Sequence, residues 1–242
     1  MPTQPSPLHL RSVYVTGTDT GIGKTVASTA LLHALRAQGL HAVGMKPVAS
    51  GCEFRDGLWR NEDALALQAA SDPQAEYTML NPYALPQPLA PEIAAREAGV
   101  EIAMETLVSA YHHLQAIADT VVVEGVGGWS APLSADLDQA DLVHALHLPV
   151  VMVVGMRLGC INHARLTARA VAADGCRLIG WIANHVDPQM ERQDENFQIL
   201  EARLQVPCWG RLPFFATQDA AALSRHLDPD APGFPASSTP LR

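Results

Sequence analysis

The stretch TGTDTGIGKT at residues 16–25 constrains this chain more than any other feature. It follows the apolar run Val13-Tyr14-Val15 and precedes a helical pattern, so it reads as a strand, a tight loop and a helix start. Gly17, Gly21 and Gly23 give the loop backbone angles closed to other residues, which lets it wrap an anion closely. Lys24 brings a point charge and Thr25 a hydroxyl of the kind that ligates Mg²⁺. The helix start aims unpaired N–H groups at the same place. The spacing departs from the strict phosphate-loop form, because Thr18 stands where the first glycine belongs and Gly17 comes one residue early. The strand before, the helix after and the intact lysine–threonine pair still identify a phosphate loop.

Apolar runs alternate with helical patterns along the rest of the chain, the sequence form of a parallel sheet flanked by helices. Strands are expected near 12–16, 41–46, 120–124, 149–154, 177–183 and 207–210. Helices are expected near 24–38, 62–70, 101–118, 138–147, 161–174 and 190–204. Val121-Val122-Val123 and Val150-Val151-Met152-Val153-Val154 are continuously apolar, as strands buried on both faces should be. The reading is one α/β domain of phosphate-loop NTPase type over residues 1–242, with mobile tails at 1–8 and 231–242. Residues 72–92 carry prolines at 73, 82, 86, 88 and 91, and read as an ordered excursion or lid, not a regular element.

A formal charge of −9 argues against non-specific grip on nucleic acid and offers no polybasic handle for a membrane. Cys52, Cys160, Cys176 and Cys208 lie far apart, which points to reduced thiols and neither a disulfide framework nor a metal knuckle. The start MPTQPSP lacks the marks of a signal peptide, and no apolar run reaches the ~20 residues of a membrane span. The expectation is a soluble, cytoplasmic protein.

Ligands of open parallel sheets bind beyond the carboxyl ends of the strands. Lys46, in GMKPVASG (44–51), ends the second strand at the rim that holds the phosphate loop, with Ser50-Gly51 just beyond. Glu124, in VVVEGVGGW (121–129), stands where phosphate-loop enzymes place the acid that serves Mg²⁺. Glycines 125, 127 and 128 let the backbone there approach a nucleotide. Asp63, in RNEDALALQ, reads on its own as a helix-capping acid. Cys160 and His163 lack the further ligands of a metal site. The pairs His112-His113 and His144/His147 read as helix-face residues.

Together VTGTDTGIGKTVAS (15–28), GMKPVASG (44–51), NEDALALQ (61–68), VVVEGVGGW (121–129), LPVVMVVGMRLGCINHA (148–164) and GWIANHV (180–186) resemble the dethiobiotin synthetase family, in family order. The resemblance covers residues 12 to 215 and fades from 216 onward; Gly21 sits where relatives often have an acid. It implies a ligase that joins 7,8-diaminopelargonic acid (7,8-diaminononanoate) and CO₂ with ATP and Mg²⁺ to make dethiobiotin, ADP and phosphate. It implies Lys24 and Lys46 as catalytic residues, and Thr25, Asp63 and Glu124 as partners of the metal. Nucleotide contacts fall on the loop residues Gly21, Ile22, Gly23, Lys24, Thr25 and Val26, together with Asp63 and the turn Glu124, Gly125, Val126 and Gly127. Asn184, His185, Pro213, Phe214 and Phe215 carry over to the adenine end. Thr20, Lys46 and Ser50 carry over to the diamine or carbamate, and Cys160, Ile161 and Asn162 to the substrate carboxylate. The helix bearing those last three comes from a neighbouring subunit in the family, which implies a homodimer.

The competing class is a nucleotide-dependent switch of the partitioning-ATPase type. Those proteins commonly carry a second lysine near the start of the loop, where this chain has Gly17-Thr18-Asp19-Thr20. A cobyrinate-type amidotransferase would bring a glutamine-cleaving domain, for which this chain has no room.

Overall fold

The computed structural model describes residues 12–214 and 219–235. In chain order come β1 (Val13–Gly17), α1 (Lys24–Ala37), β2 (Ala42–Met45) and β3 (Val48–Ser50). The hairpin β4 (Glu53–Arg55) and β5 (Leu58–Arg60) leads to α2 (Glu62–Ala70), α3 (Tyr77–Leu80), β6 (Tyr83–Leu85) and α4 (Pro91–Ala98). Next are α5 (Met104–Gln115), β7 (Thr120–Glu124), α6 (Gln139–Leu146), β8 (Val150–Met156) and α7 (Cys160–Ala173). Last come β9 (Leu178–His185), α8 (Gln193–Arg203), β10 (Cys208–Leu212) and α9 (Ala220–Leu223).

Six strands form one sheet in the order β10-β9-β8-β1-β7-β2, and every pairing in it is parallel. Each expected strand and helix falls on one of these elements, with ends shifted by a few residues. The apolar runs split between two faces, as a period of two requires. Val13, Val15, Val122 and Val153 pack with Leu31, Leu35 and Leu67 from α1 and α2. Tyr14, Val121 and Val123 turn the other way, onto Leu107, Leu114 and Leu142 from α5 and α6. Toward the β9 edge, Met152, Val154 and Trp181 lie against Ala164 of α7 and Leu200 of α8. Each fully buried leucine in these layers contributes about 1.5–3 kcal/mol. Successive crossovers run from β1 toward β2 on one side and from β8 to β10 on the other, so the loop after β1 opens at the switch point.

The proline-rich stretch corrects the sequence reading. It holds the short helix α3 and the strand β6, which pairs in parallel with β3 through Val48–Tyr83, Ala49–Ala84 and Ser50–Leu85. Pro91 opens α4, where a missing N–H costs nothing. The excursion grips the end of β2: Lys46 N donates to Leu80 O at 2.8 Å, and Asn81 Nδ2 donates to Lys46 O at 2.7 Å. The tail expected from 231 begins too early, because Ala231 and Phe234 are buried. The Phe234 ring lies 5.1 Å from that of Trp209, whose Nε1 donates to Pro232 O at 3.3 Å. The expected tails at 1–8 and 236–242 lie outside the described residues. No helix among the described residues is long and apolar enough to cross a membrane.

Trp209 fits because Gly180 has no side chain: a Cβ there would collide with the indole ring. Gly180→Ala is therefore expected to cost about 1–3 kcal/mol by overpacking. The thermal midpoint should fall by roughly 2–12 °C for a chain of this size. An unchanged midpoint in differential scanning calorimetry would contradict the packing of β10 on β9.

Candidate active site

The loop after β1 is shaped by Gly21 (φ 72°) and Gly23 (φ 77°), both in the left-handed region. A Cβ on Gly23 would strike Asn184 Nδ2, the atom that donates to Ile22 O at 2.8 Å. Asn184, at the end of β9, thus clamps the crest of the loop, and the buried Ile22 side chain anchors it below. α1 begins at Gly23 with no side-chain cap and no acid in its first turn. Its terminal N–H groups and positive dipole end are left for an anion.

Lys24 is buried and, among the described residues, donates to two carbonyls, Gly127 O at 2.6 Å and Asp19 O at 3.2 Å. Burial and the nearby Lys46 charge lower its pKa to about 8. Lys46 differs. Its Nζ lies 2.6 Å from Glu124 Oε1, 3.4 Å from Asp63 Oδ2 and 3.2 Å from Gly125 O. Burial opposes its charge, but Glu124 and Asp63 outweigh burial and hold the ammonium above its ordinary pKa. Thr25 Oγ1 donates to the same Glu124 Oε1 at 2.8 Å. Glu124 Oε2 is buried and has no hydrogen-bond partner among the described residues.

α2 corrects one local reading. Its cap is Asn61, whose Oδ1 accepts from Asp63 N at 3.0 Å and Ala64 N at 3.3 Å. Asp63 is thereby free to face Lys46. The Asn61 amide also donates to Ser50 O at 3.2 Å, tying α2 to the end of β3. An asparagine ahead of Glu-Asp is a standard cap signal that reading Asp63 as the cap passed over.

These groups surround one cavity of about 430 Å³, lined by Thr20, Gly21, Gly23, Lys24, Thr25, Val26, Lys46, Ser50, Asp63, Glu124, Val126 and Gly127. A second cavity of about 210 Å³ shares the wall Gly21, Gly23 and Val26, and is closed by Asn184, His185, Pro213 and Phe214. Phe215 lies outside the described residues. Cys160, Ile161 and Asn162 open α7 and do not line either cavity. Cys160 N already donates to Arg157 O at 3.0 Å, and burial pushes its thiol pKa up. Gly125 faces away from the cleft, where a Cβ would strike Tyr14 and Gln139. The ion pair of Asp19 with Arg157 joins the phosphate loop to the β8–α7 loop, a link with no local sequence signal.

A parallel sheet, a glycine-shaped loop after its first strand, a lysine in that loop and an acid at the end of the strand beside it define a phosphate-loop nucleotide-binding protein. An AAA domain model matches residues 11–222. The ATP-dependent dethiobiotin synthetase BioD of Xanthomonas euvesicatoria pv. vesicatoria is 69% identical over 88% of this chain and 96% of its own. That of Xylella fastidiosa is 60% identical over 92% and 99%. The chain belongs to the ATP-dependent dethiobiotin synthetases, ligases of biotin synthesis. Solved structures share the fold at low identity. The MinD cell division protein of Aquifex aeolicus has a TM-score of 0.52 at 12% identity, covering 91% of this chain and 88% of MinD. A ParA family ATPase of Chlorobium tepidum has 0.50 at 18%, covering 90% of each.

Glu124→Gln strips the buried Lys46 ammonium of its nearest counter-charge and is expected to cost about 3 kcal/mol or more in urea unfolding. Adding Lys46→Met to Glu124→Gln should recover most of that loss, since a neutral pair leaves no charge uncompensated. Equal losses in the single and double variants would show that the pair does not set stability here.

Proposed function

We propose that this chain carboxylates 7,8-diaminopelargonic acid with CO₂ and closes the ring to dethiobiotin, turning ATP into ADP and phosphate. The observation that carries the reading is the convergence of Lys24, Lys46, Thr25, Asp63 and Glu124 on one cleft beside the phosphate loop. One amine takes up CO₂ as a carbamate. A carbamate oxygen attacks the γ-phosphorus and ADP leaves. The second amine then attacks the carbonyl carbon and expels phosphate.

Carbamate and γ-phosphate are both anions, so their approach needs fixed positive charge. Lys24 and the α1 N-terminus meet the phosphates; Lys46, with Thr20 and Ser50, meets the carbamate end. Lys24 suits phosphate because no carboxylate bonds it, and Lys46 is held in place by Glu124 and Asp63. Asn184 spends one amide proton on Ile22, leaving its oxygen and second proton for a purine edge beside His185, Pro213 and Phe214. Mg²⁺ fits the donors present: Thr25, Asp63 and Glu124 offer hard oxygens, and Glu124 Oε2 has no other partner. Bound there, the ion would neutralise β- and γ-phosphate charge.

The start of α7 at Ile161 and Asn162 would serve the substrate carboxylate of a partner subunit in a homodimer, the Cys160 N–H being already given to Arg157 O. Leu158, 92% exposed on the same loop, is an apolar side chain for that contact to cover. The enzyme is read as cytoplasmic.

Labelled CO₂ should enter acid-stable product only with diamine and ATP, and Lys24→Ala should abolish this while far-UV circular dichroism stays native. Absence of labelled product from the wild-type protein would sink the assignment.

The shared site is tested by mixing. Co-refolding the inactive variants Lys46→Gln and Asn162→Ala makes half the dimers mixed, each with one intact site. Activity should return to roughly one quarter of wild type by random two-fold assortment. No gain over either variant refolded alone would exclude a site built from both subunits.

A further inference from the structure

Gln139 opens α6, beyond the turn that follows β7, and is wholly buried. A buried primary amide must be satisfied on both its atoms. Its Oε1 accepts from Tyr14 OH at 2.7 Å and from Val126 N at 3.0 Å. Its Nε2 donates to Gly128 O at 2.8 Å, Trp129 O at 3.0 Å and Ala131 O at 3.1 Å. One side chain therefore supplies the irregular stretch 126–131 with the partners a neighbouring strand would have given. Burial, then the charge of Glu124, pushes the Tyr14 pKa far up, so its hydroxyl stays protonated and remains a donor.

The stretch so held matters to the cleft. Val126 and Gly127 line it, and Gly127 O is the nearest acceptor of the Lys24 ammonium. Gly125 admits the arrangement, since any Cβ there would run into both Gln139 Oε1 and Tyr14 OH. We propose that Gln139, backed by Tyr14, is a positioning residue of this enzyme: a buried latch that fixes the 126–131 turn and, through Gly127 O, the place of the Lys24 ammonium. The inference rests on the dethiobiotin-forming reading of the cleft and assigns that reaction a control point away from the reacting atoms.

The test compares Gln139→Leu, Tyr14→Phe and the double variant with wild type, in full-length protein. Gln139→Leu keeps Lys24 but frees its acceptor, so kcat should fall roughly tenfold to a hundredfold, because small misplacements of catalytic groups are that costly. KM for ATP should change much less. Tyr14→Phe, the milder variant, should lower kcat in the same direction. It should add little on top of Gln139→Leu, because both act through one latch. Hydrogen exchange supplies a readout that needs no substrate: peptides covering 125–131 should lose protection in Gln139→Leu while those of β8 and β9 keep theirs. A kcat within twofold of wild type in Gln139→Leu overturns the proposal, as do additive effects of the two substitutions. Protection lost evenly across the sheet also overturns it, since that marks a purely structural residue. If wild type forms no dethiobiotin, the function reading fails while the exchange result still reports on the latch.

Discussion

The contact between the Lys46 ammonium and the Glu124 carboxylate ties the sheet to the site. Neither side chain keeps appreciable contact with water. A lone charge in such surroundings costs several kcal/mol, so Glu124, with Asp63 behind it, is what makes the Lys46 ammonium tolerable there. Their meeting follows from strand register. β2 and β7 are neighbours, with Met45 opposite Val123, so the next residues along, Lys46 and Glu124, fall side by side at the carboxyl ends. A one-residue slip would turn one of them into the apolar layer. The same carboxylate takes the Thr25 hydroxyl, so α1 is drawn into the arrangement.

What was legible in the sequence was what is local. The phosphate loop announced itself through glycines and a lysine within ten residues. β8 showed as an unbroken apolar run because both of its faces are covered. β3 and β6 left no such mark, for three residues carry no measurable period. Five prolines made their surroundings read as irregular, although Pro91 is placed where a helix begins. Asn61 was hidden by its acidic neighbours. Gln139 and Tyr14 sit 125 positions apart, and Arg157 and Asp19 sit 138 apart. Nothing near any of the four indicates a partner. Phe234 lies in a stretch whose composition reads as a tail, yet its ring packs on Trp209, whose Nε1 also donates to Pro232 O.

The likeness to MinD and a ParA family ATPase, at 12% and 18% identity, separates scaffold from chemistry. A parallel sheet with an anion loop after its first strand places a triphosphate and says nothing of what the phosphate is passed to. The elements that surround Lys46 lie outside the six-stranded sheet. β3 and β6 extend the chain beyond β2, the 72–92 excursion fixes the Lys46 backbone on both its N–H and its carbonyl, and Asn61 joins Ser50 to α2. The Lys46 side of the cleft is thus built by the part of the chain whose composition looked least regular.

Helix starts show how the fold keeps its positive ends for ligands. Among the described helices of eight residues or more, α2 is capped by Asn61 and carries Glu62 and Asp63 in its first turn. α4, α5, α6 and α8 have Glu92, Glu105, Asp141 and the pair Asp194 and Glu195 in theirs. Only α1 and α7 have neither a side-chain cap nor an acid there, and each begins at a left-handed glycine, Gly23 or Gly159. A helix end left so costs stability unless something else meets its N–H groups and dipole. α1 opens onto the cleft through Gly23, Lys24 and Thr25. α7 lines neither cavity of its own chain, and the Cys160 N–H at its start is taken by Arg157 O. The homodimer proposed above would bring a substrate carboxylate to that start across a two-fold axis.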